Sequence, residues 1–110
     1  MYEYEARAKK IIDGDTIRAL VDLGFGVFIE QTFRFAGIDT PEKSTKEGKA
    51  ARKFVADRIM GKPIRIRSYK KGKYGRYIAD IYYENFMGER KCLNEEVLFS
   101  GMGSKYKEKR

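Results

Sequence analysis

The sequence predicts a mainly β fold (α+β): a small closed barrel of five strands, with one helix after the third strand and a short C-terminal helix. Three observations lead there. Apolar and polar residues alternate with period two through the first third of the chain, the spacing changes to three and four after Pro41, and alternation returns beyond Gly61. With 110 residues the chain has the length of one domain with a modest core, and residues 1–110 are read as a single unit.

The first strand is expected over residues 3–12, ending at the bend "DGD". Ile17, Ala19 and Val21 then alternate with Thr16, Arg18 and Leu20, and the turn "DLGFG" leads into a third strand through "VFIEQTFRFAG". After Pro41, residues Ala50, Ala51, Phe54, Val55 and Ile59 fall on one helical face. Ser44 and Glu47 have capping-box spacing, and Gly61 followed by Pro63 marks the stop. Ile64 and Ile66 alternate with Arg65 and Arg67, "KKGKYG" makes a turn, and "RYIADIYY" supplies the fifth strand. Asn94 is placed to cap a short helix that stops at Gly101, and residues 104–110, "SKYKEKR", read as a frayed basic tail. Three strands, a helix, two strands and a helix match the OB-type barrel, which leaves one face for nucleic acid.

Composition narrows the chemistry. The single cysteine, Cys92, excludes an internal disulfide and a multi-cysteine zinc site. Histidine is absent, which removes the commonest general base and every Ser/His or Cys/His nucleophile pair. A hydrolase built from this chain must therefore use carboxylates and a hard metal. The balance of 24 Lys+Arg against 16 Asp+Glu, a formal +8, favours a polyanionic partner. No apolar run suggests a membrane span, and "MYEYEARAKK" is not a signal peptide. The chain as given is expected in the cytoplasm, or outside the cell if a leader was removed, and as a monomer. Abundant Lys, Arg and Glu with scarce Gln and Asn resemble the composition of heat-adapted proteins.

Three polar clusters sit at strand ends: "DGDT" (13–16), "RFAGIDTPE" (34–42) and "KYGR" (73–76). They supply Asp15, Asp39 and Glu42 together with Arg34 and Arg76. Phosphodiester hydrolysis needs an activated water, an electrophilic phosphate and stabilisation of the charge that builds on the phosphoryl oxygens. Two aspartates with a backbone carbonyl and waters suit a hard cation such as Ca²⁺. Guanidinium groups stay charged and grip phosphate oxygens in a planar fork.

The strings "IIDGDT", "TFRFAGIDTPE", "KYGRYIADIY" and "LNEEVL", in this order, closely resemble the staphylococcal (micrococcal) nuclease, or thermonuclease, family, over about residues 10 to 101. The resemblance implies that Asp15, Asp39 and the Thr40 carbonyl bind Ca²⁺, that Glu42 activates the attacking water, and that Arg34 and Arg76 bind the scissile phosphate. It places Lys73 and Tyr74 near a neighbouring phosphate. It further implies cleavage of DNA and RNA with little sequence preference, a preference for single strands, and 3′-phosphorylated products. Two departures stand out. The segment after Glu42 is shorter than in the secreted members, and a third helix with its tyrosine pair is missing or reduced to Tyr106.

Plainer readings compete at several positions. Asp13 is left as turn chemistry, and "DTPEKS" doubles as a helix entrance. Arg65 and Arg67 belong to a basic run with Lys62, Lys70, Lys71, Lys73 and Arg76 and are expected to make generic phosphate or solvent contacts. Tyr77 and Tyr83 share a face with Ala79 and Ile81, which favours packing over base stacking. Two rivals to a Ca²⁺-dependent nuclease stay open: a non-catalytic OB module that binds single-stranded nucleic acid, and a Mg²⁺ two-metal nuclease.

Overall fold

The computed structural model describes residues 2–71 and 76–106. Its elements in chain order are β1 (Tyr2–Asp13), β2 (Thr16–Asp22), β3 (Phe28–Phe35), β4 (Ile38–Asp39), α1 (Lys46–Ile59), β5 (Pro63–Lys71), β6 (Tyr77–Glu84), β7 (Arg90–Cys92), α2 (Leu93–Phe99) and β8 (Ser104–Lys105). The large sheet runs β3-β2-β1-β5-β6-β7. A parallel seam, Phe33↔Tyr77 to Phe35↔Ala79, joins β3 to β6, so β1, β2, β3, β6 and β5 close into a five-stranded ring. That is the expected OB-type barrel. β7 extends β6 outside the ring, and β4 pairs with β8 as a separate two-stranded ribbon.

The alternation works as the pattern requires. Ile17, Ala19 and Val21 on β2, Phe33 and Phe35 on β3, Ile64 and Ile66 on β5, and Ala79, Ile81 and Tyr83 on β6 all point into the core. On β1, Ala6 and Ala8 are buried, and a register shift between Ala8 and Lys10 then brings Ile11 inward in place of Lys10. A bulge of this kind inverts the face of the residues that follow it. Ala51, Val55 and Ile59 pack α1 against the barrel, while Ala50 is exposed. Gly61, at φ +75°, ends α1 in the left-handed region that favours glycine.

Three expectations need correction. The cap of α1 is Thr45 and not Ser44: the Thr45 hydroxyl accepts the Gly48 N–H (3.0 Å) and donates to the Glu42 carbonyl (2.7 Å). With the cap there, the capping-box position is Gly48, which has no side chain to return the bond. Asn94 caps nothing. The cap of α2 is Cys92, without a side-chain bond, and Asn94 is 5% exposed inside the fold. Its Oδ1 accepts the Ile81 N–H (2.9 Å) and its Nδ2 donates to the carbonyls of Ala36 (3.0 Å) and Ala79 (3.1 Å). Finally, the supposed tail is tied down at its start. Ser104 and Lys105 pair with Asp39 and Ile38, and the Tyr106 N–H donates to the Gly37 carbonyl (2.9 Å). Residues 107–110 lie outside the described residues, as do those at the centre of the "KKGKYG" turn.

Candidate active site

The site lies where the β1–β2 turn, the end of β3, β4 and the approach to α1 meet. Gly14 makes the turn possible because a Cβ there would stand 2.7 Å from Ala51 Cβ and 3.0 Å from Thr40 Cγ2. The turn therefore presses directly on α1 and on Thr40, and Asp15 is delivered into the interior, 7% exposed. Its Oδ1 accepts the Thr16 hydroxyl (2.9 Å), its Oδ2 accepts the Thr40 backbone N–H (3.0 Å), and its own carbonyl accepts the Phe35 N–H (2.8 Å).

Arg34 bridges the two aspartates. Nη1 lies 3.4 Å from Asp15 Oδ2 and donates to the Ile38 carbonyl at 3.0 Å, while Nη2 donates to Asp39 Oδ1 at 3.2 Å. The Tyr106 ring covers the same guanidinium at 4.9 Å from its centroid, a cation–π contact. Partial burial, with the Asp15 carboxyl as the next cause, holds Asp39 above the usual aspartate range, and Arg34 only partly offsets this.

Asp13 joins the cluster. Burial raises its pKa first, the charges of Asp15 and Glu42 raise it further, and Lys43 pulls it back. Asp13 Oδ1 and Thr40 Oγ1 are both buried and find no hydrogen-bond partner among the described residues. Thus Asp13, Asp15, Asp39 and Glu42 gather near Arg34 and Lys43, a cluster of acids in a chain of formal +8. All available donors are oxygens. That donor set fits a hard divalent cation, which would relieve the repulsion. Among the described residues no group of three or more acids surrounds one point, and Arg34 holds Asp15 and Asp39 to a common guanidinium.

Glu42 is exposed on the approach to α1, and its carbonyl accepts both the N–H (3.0 Å) and the hydroxyl (2.7 Å) of Thr45. Arg76, half-buried, leads into β6 one residue before the Phe33↔Tyr77 pair, which puts it on the seam beside the strand that carries Arg34. Lys73 and Tyr74 lie outside the described residues. Arg65 and Arg67 are engaged elsewhere. Arg65 Nη2 reaches Glu5 (3.1 Å), Arg67 Nη2 reaches Glu3 (3.3 Å), and Arg90 Nη1 also reaches Glu3 (3.1 Å). Sequence reasoning left Asp13 as turn chemistry, and only its buried Oδ1 distinguishes it from an ordinary turn aspartate.

A family model described as staphylococcal nuclease homologue matches residues 32–110. An uncharacterized endonuclease of Haemophilus influenzae is 32% identical over 93% of this chain and 52% of its own length. A micrococcal nuclease of Shigella flexneri is 27% identical over 96% of this chain and 60% of its own. A probable staphylococcal-like nuclease of Oryza sativa is 35% identical over 62% of this chain and 17% of its own length. The chain thus spans between about half and three-fifths of the two bacterial relatives. The matched range holds Arg34, Asp39, Thr40, Glu42 and Arg76 but begins after Asp15, whose place in the cluster rests on the fold.

Proposed function

The chain belongs to the family of staphylococcal nuclease homologues, and we propose that it hydrolyses DNA and RNA phosphodiesters, Ca²⁺-dependently and with little sequence preference. Single-stranded nucleic acid is the preferred substrate, and the acting unit is a monomer. The observation that carries this reading is the Arg34 guanidinium held between Asp15 and Asp39 in a chain without histidine.

Asp15, Asp39 and the Thr40 carbonyl would hold the cation, which when bound polarises the phosphate and neutralises charge on its oxygens. Glu42 accepts the proton of the attacking water. As the water oxygen bonds to phosphorus, the phosphoryl group gains negative charge, and Arg34 and Arg76 bind that charge more strongly than they bind the substrate. The bond from phosphorus to the 5′ oxygen then breaks, leaving a 3′-phosphate and a free 5′-hydroxyl. Lys73 and Tyr74 contact the neighbouring phosphate, and Arg65 and Arg67 add generic backbone attraction.

The test is acid-soluble nucleotide released from single-stranded DNA in Ca²⁺, in Mg²⁺ and in chelator, for wild type and Glu42→Gln. Release in Ca²⁺ alone, lowered roughly 10² to 10⁴-fold in Glu42→Gln, supports the reading. Binding without release under any condition would make the chain a nucleic-acid-binding module instead.

A further inference from the structure

We infer that Gly48, together with Thr45, positions Glu42: the first turn of α1 serves as a clamp on the backbone of the residue that accepts the water's proton. The inference rests on the role given to Glu42 above.

Three contacts build the clamp. The Thr45 N–H and hydroxyl both donate to the Glu42 carbonyl (3.0 and 2.7 Å), and the Thr45 hydroxyl oxygen accepts the Gly48 N–H (3.0 Å). The Glu42 backbone then lies directly on the α-carbon of Gly48. A Cβ at position 48 would stand 1.7 Å from the Glu42 carbonyl oxygen, 2.4 Å from its carbonyl carbon and 2.9 Å from the Lys43 nitrogen. All three are backbone atoms, so no rotamer change relieves the overlap. Gly48 has no positive φ and lies within the helix, where glycine is less favourable than alanine. Its conformation therefore does not explain the residue, and the close approach of Glu42 does.

The segment involved is short. Only Lys43, Ser44 and Thr45 separate Glu42 from the first residue of α1, so displacing the Glu42 backbone moves its carboxylate relative to Asp13, whose charge it acts on. An error of about 1 Å in a catalytic group can cost on the order of 10²-fold in rate. Binding of substrate relies on the arginines and would be spared.

The experiment compares wild type, Gly48→Ala, Glu42→Gln and the double variant by single-turnover cleavage of single-stranded DNA, with affinity measured separately and folding checked by circular dichroism. Expected for Gly48→Ala is a turnover loss of about 10-fold to 10²-fold with nucleic-acid affinity unchanged. In the Glu42→Gln background the same substitution should cost nothing further, because the group it misplaces is already inactive. Thr45→Val, which adds no bulk but removes both hydroxyl bonds, should lower turnover in the same selective way, and Thr45→Ser should restore it. Full turnover in Gly48→Ala, or an equal loss in both backgrounds, overturns the clamp. Should Gly48→Ala not fold, full turnover in Thr45→Val, or a loss that persists in the Glu42→Gln background, overturns it equally. Wild-type activity in Glu42→Gln instead overturns the assignment of Glu42 itself.

Discussion

Arg34 Nη1 stands 3.4 Å from Asp15 Oδ2, with 14% and 10% of the two side chains exposed. The pair joins the β1–β2 turn to β3 and is nearly dry. Arg34→Ala should therefore lose stability as well as turnover. Removing one member of a buried pair costs about 3–5 kcal/mol, and losing one donor to the transition state costs about 10² to 10³-fold in rate. Arg34→Lys should rescue neither, since it keeps the charge and loses the fork that reaches Asp15, Ile38 and Asp39 together. Urea midpoints and single-turnover rates measure the two losses.

The cluster of carboxylates around Asp15 predicts a cation-dependent melting temperature. Ca²⁺ with a nucleoside phosphate should raise it by about 10 °C or more, because a ligand present at about 100 times its Kd adds about 2.7 kcal/mol to the folded state. Asp15→Asn and Asp39→Asn should each reduce the rise. No shift for wild type at saturating Ca²⁺ and nucleotide would count against the cation site.

Asn94 satisfies the Ile81 N–H and the carbonyls of Ala36 and Ala79 at once. Asn94→Ala takes the amide away from the Ile81 N–H and the Ala36 carbonyl, while the Ala79 carbonyl keeps the Ala36 N–H (2.8 Å), and at about 1–3 kcal/mol for each buried group the loss should reach about 2 kcal/mol or more. Asn94→Asp should not recover it, because a buried carboxylate would stand against the two carbonyls and beside the Asp80 carboxylate, to which Asn94 Nδ2 donates (3.3 Å). Chemical denaturation of both variants gives the comparison.

Tyr83 supplies a pH dependence. Burial, and then its hydrogen bond to Glu96, push the phenol up from 10 to about 12. The folded state thus holds this proton more tightly than the unfolded chain. The associated stability is fully present below pH 10 and is lost as pH rises through about 12. Tyr83→Phe should flatten this alkaline decline, which urea midpoints at about pH 9 and about pH 11 would reveal.

Arg65 and Arg67 already face Glu5 and Glu3. Their exposed pairs should each contribute less than about 1 kcal/mol to stability. Replacing both arginines with alanine should soften the salt dependence of single-strand binding by less than about 0.7 in slope for each residue, without abolishing cleavage. A drop in slope well above that would show that the arginines leave their glutamates for phosphate.

The sequence by itself determined the strand and helix periods and the spacing that carries Arg34, Asp39, Thr40 and Glu42 on one stretch of chain. Those features are local: a period of two or of three to four follows from backbone geometry, and nine residues cannot spread far apart. Contacts between distant segments were decided only by the tertiary structure. Asp15 reaches the Thr40 N–H across 25 residues, and Arg67 meets Glu3 across 64, because the order in which strands pair around the ring sets which side chains become neighbours. Asn94 looked like a helix cap because nothing local shows that the backbone of Ile81, Ala79 and Ala36 comes to lie beside its amide. Gly48 looked like an ordinary helix residue because the backbone that excludes a side chain there arrives from six residues earlier, through a turn whose cap shifted from Ser44 to Thr45. Alternation shows which faces are buried, but the physical demand at a close approach comes from whatever segment lies opposite, and that is a property of the closed barrel.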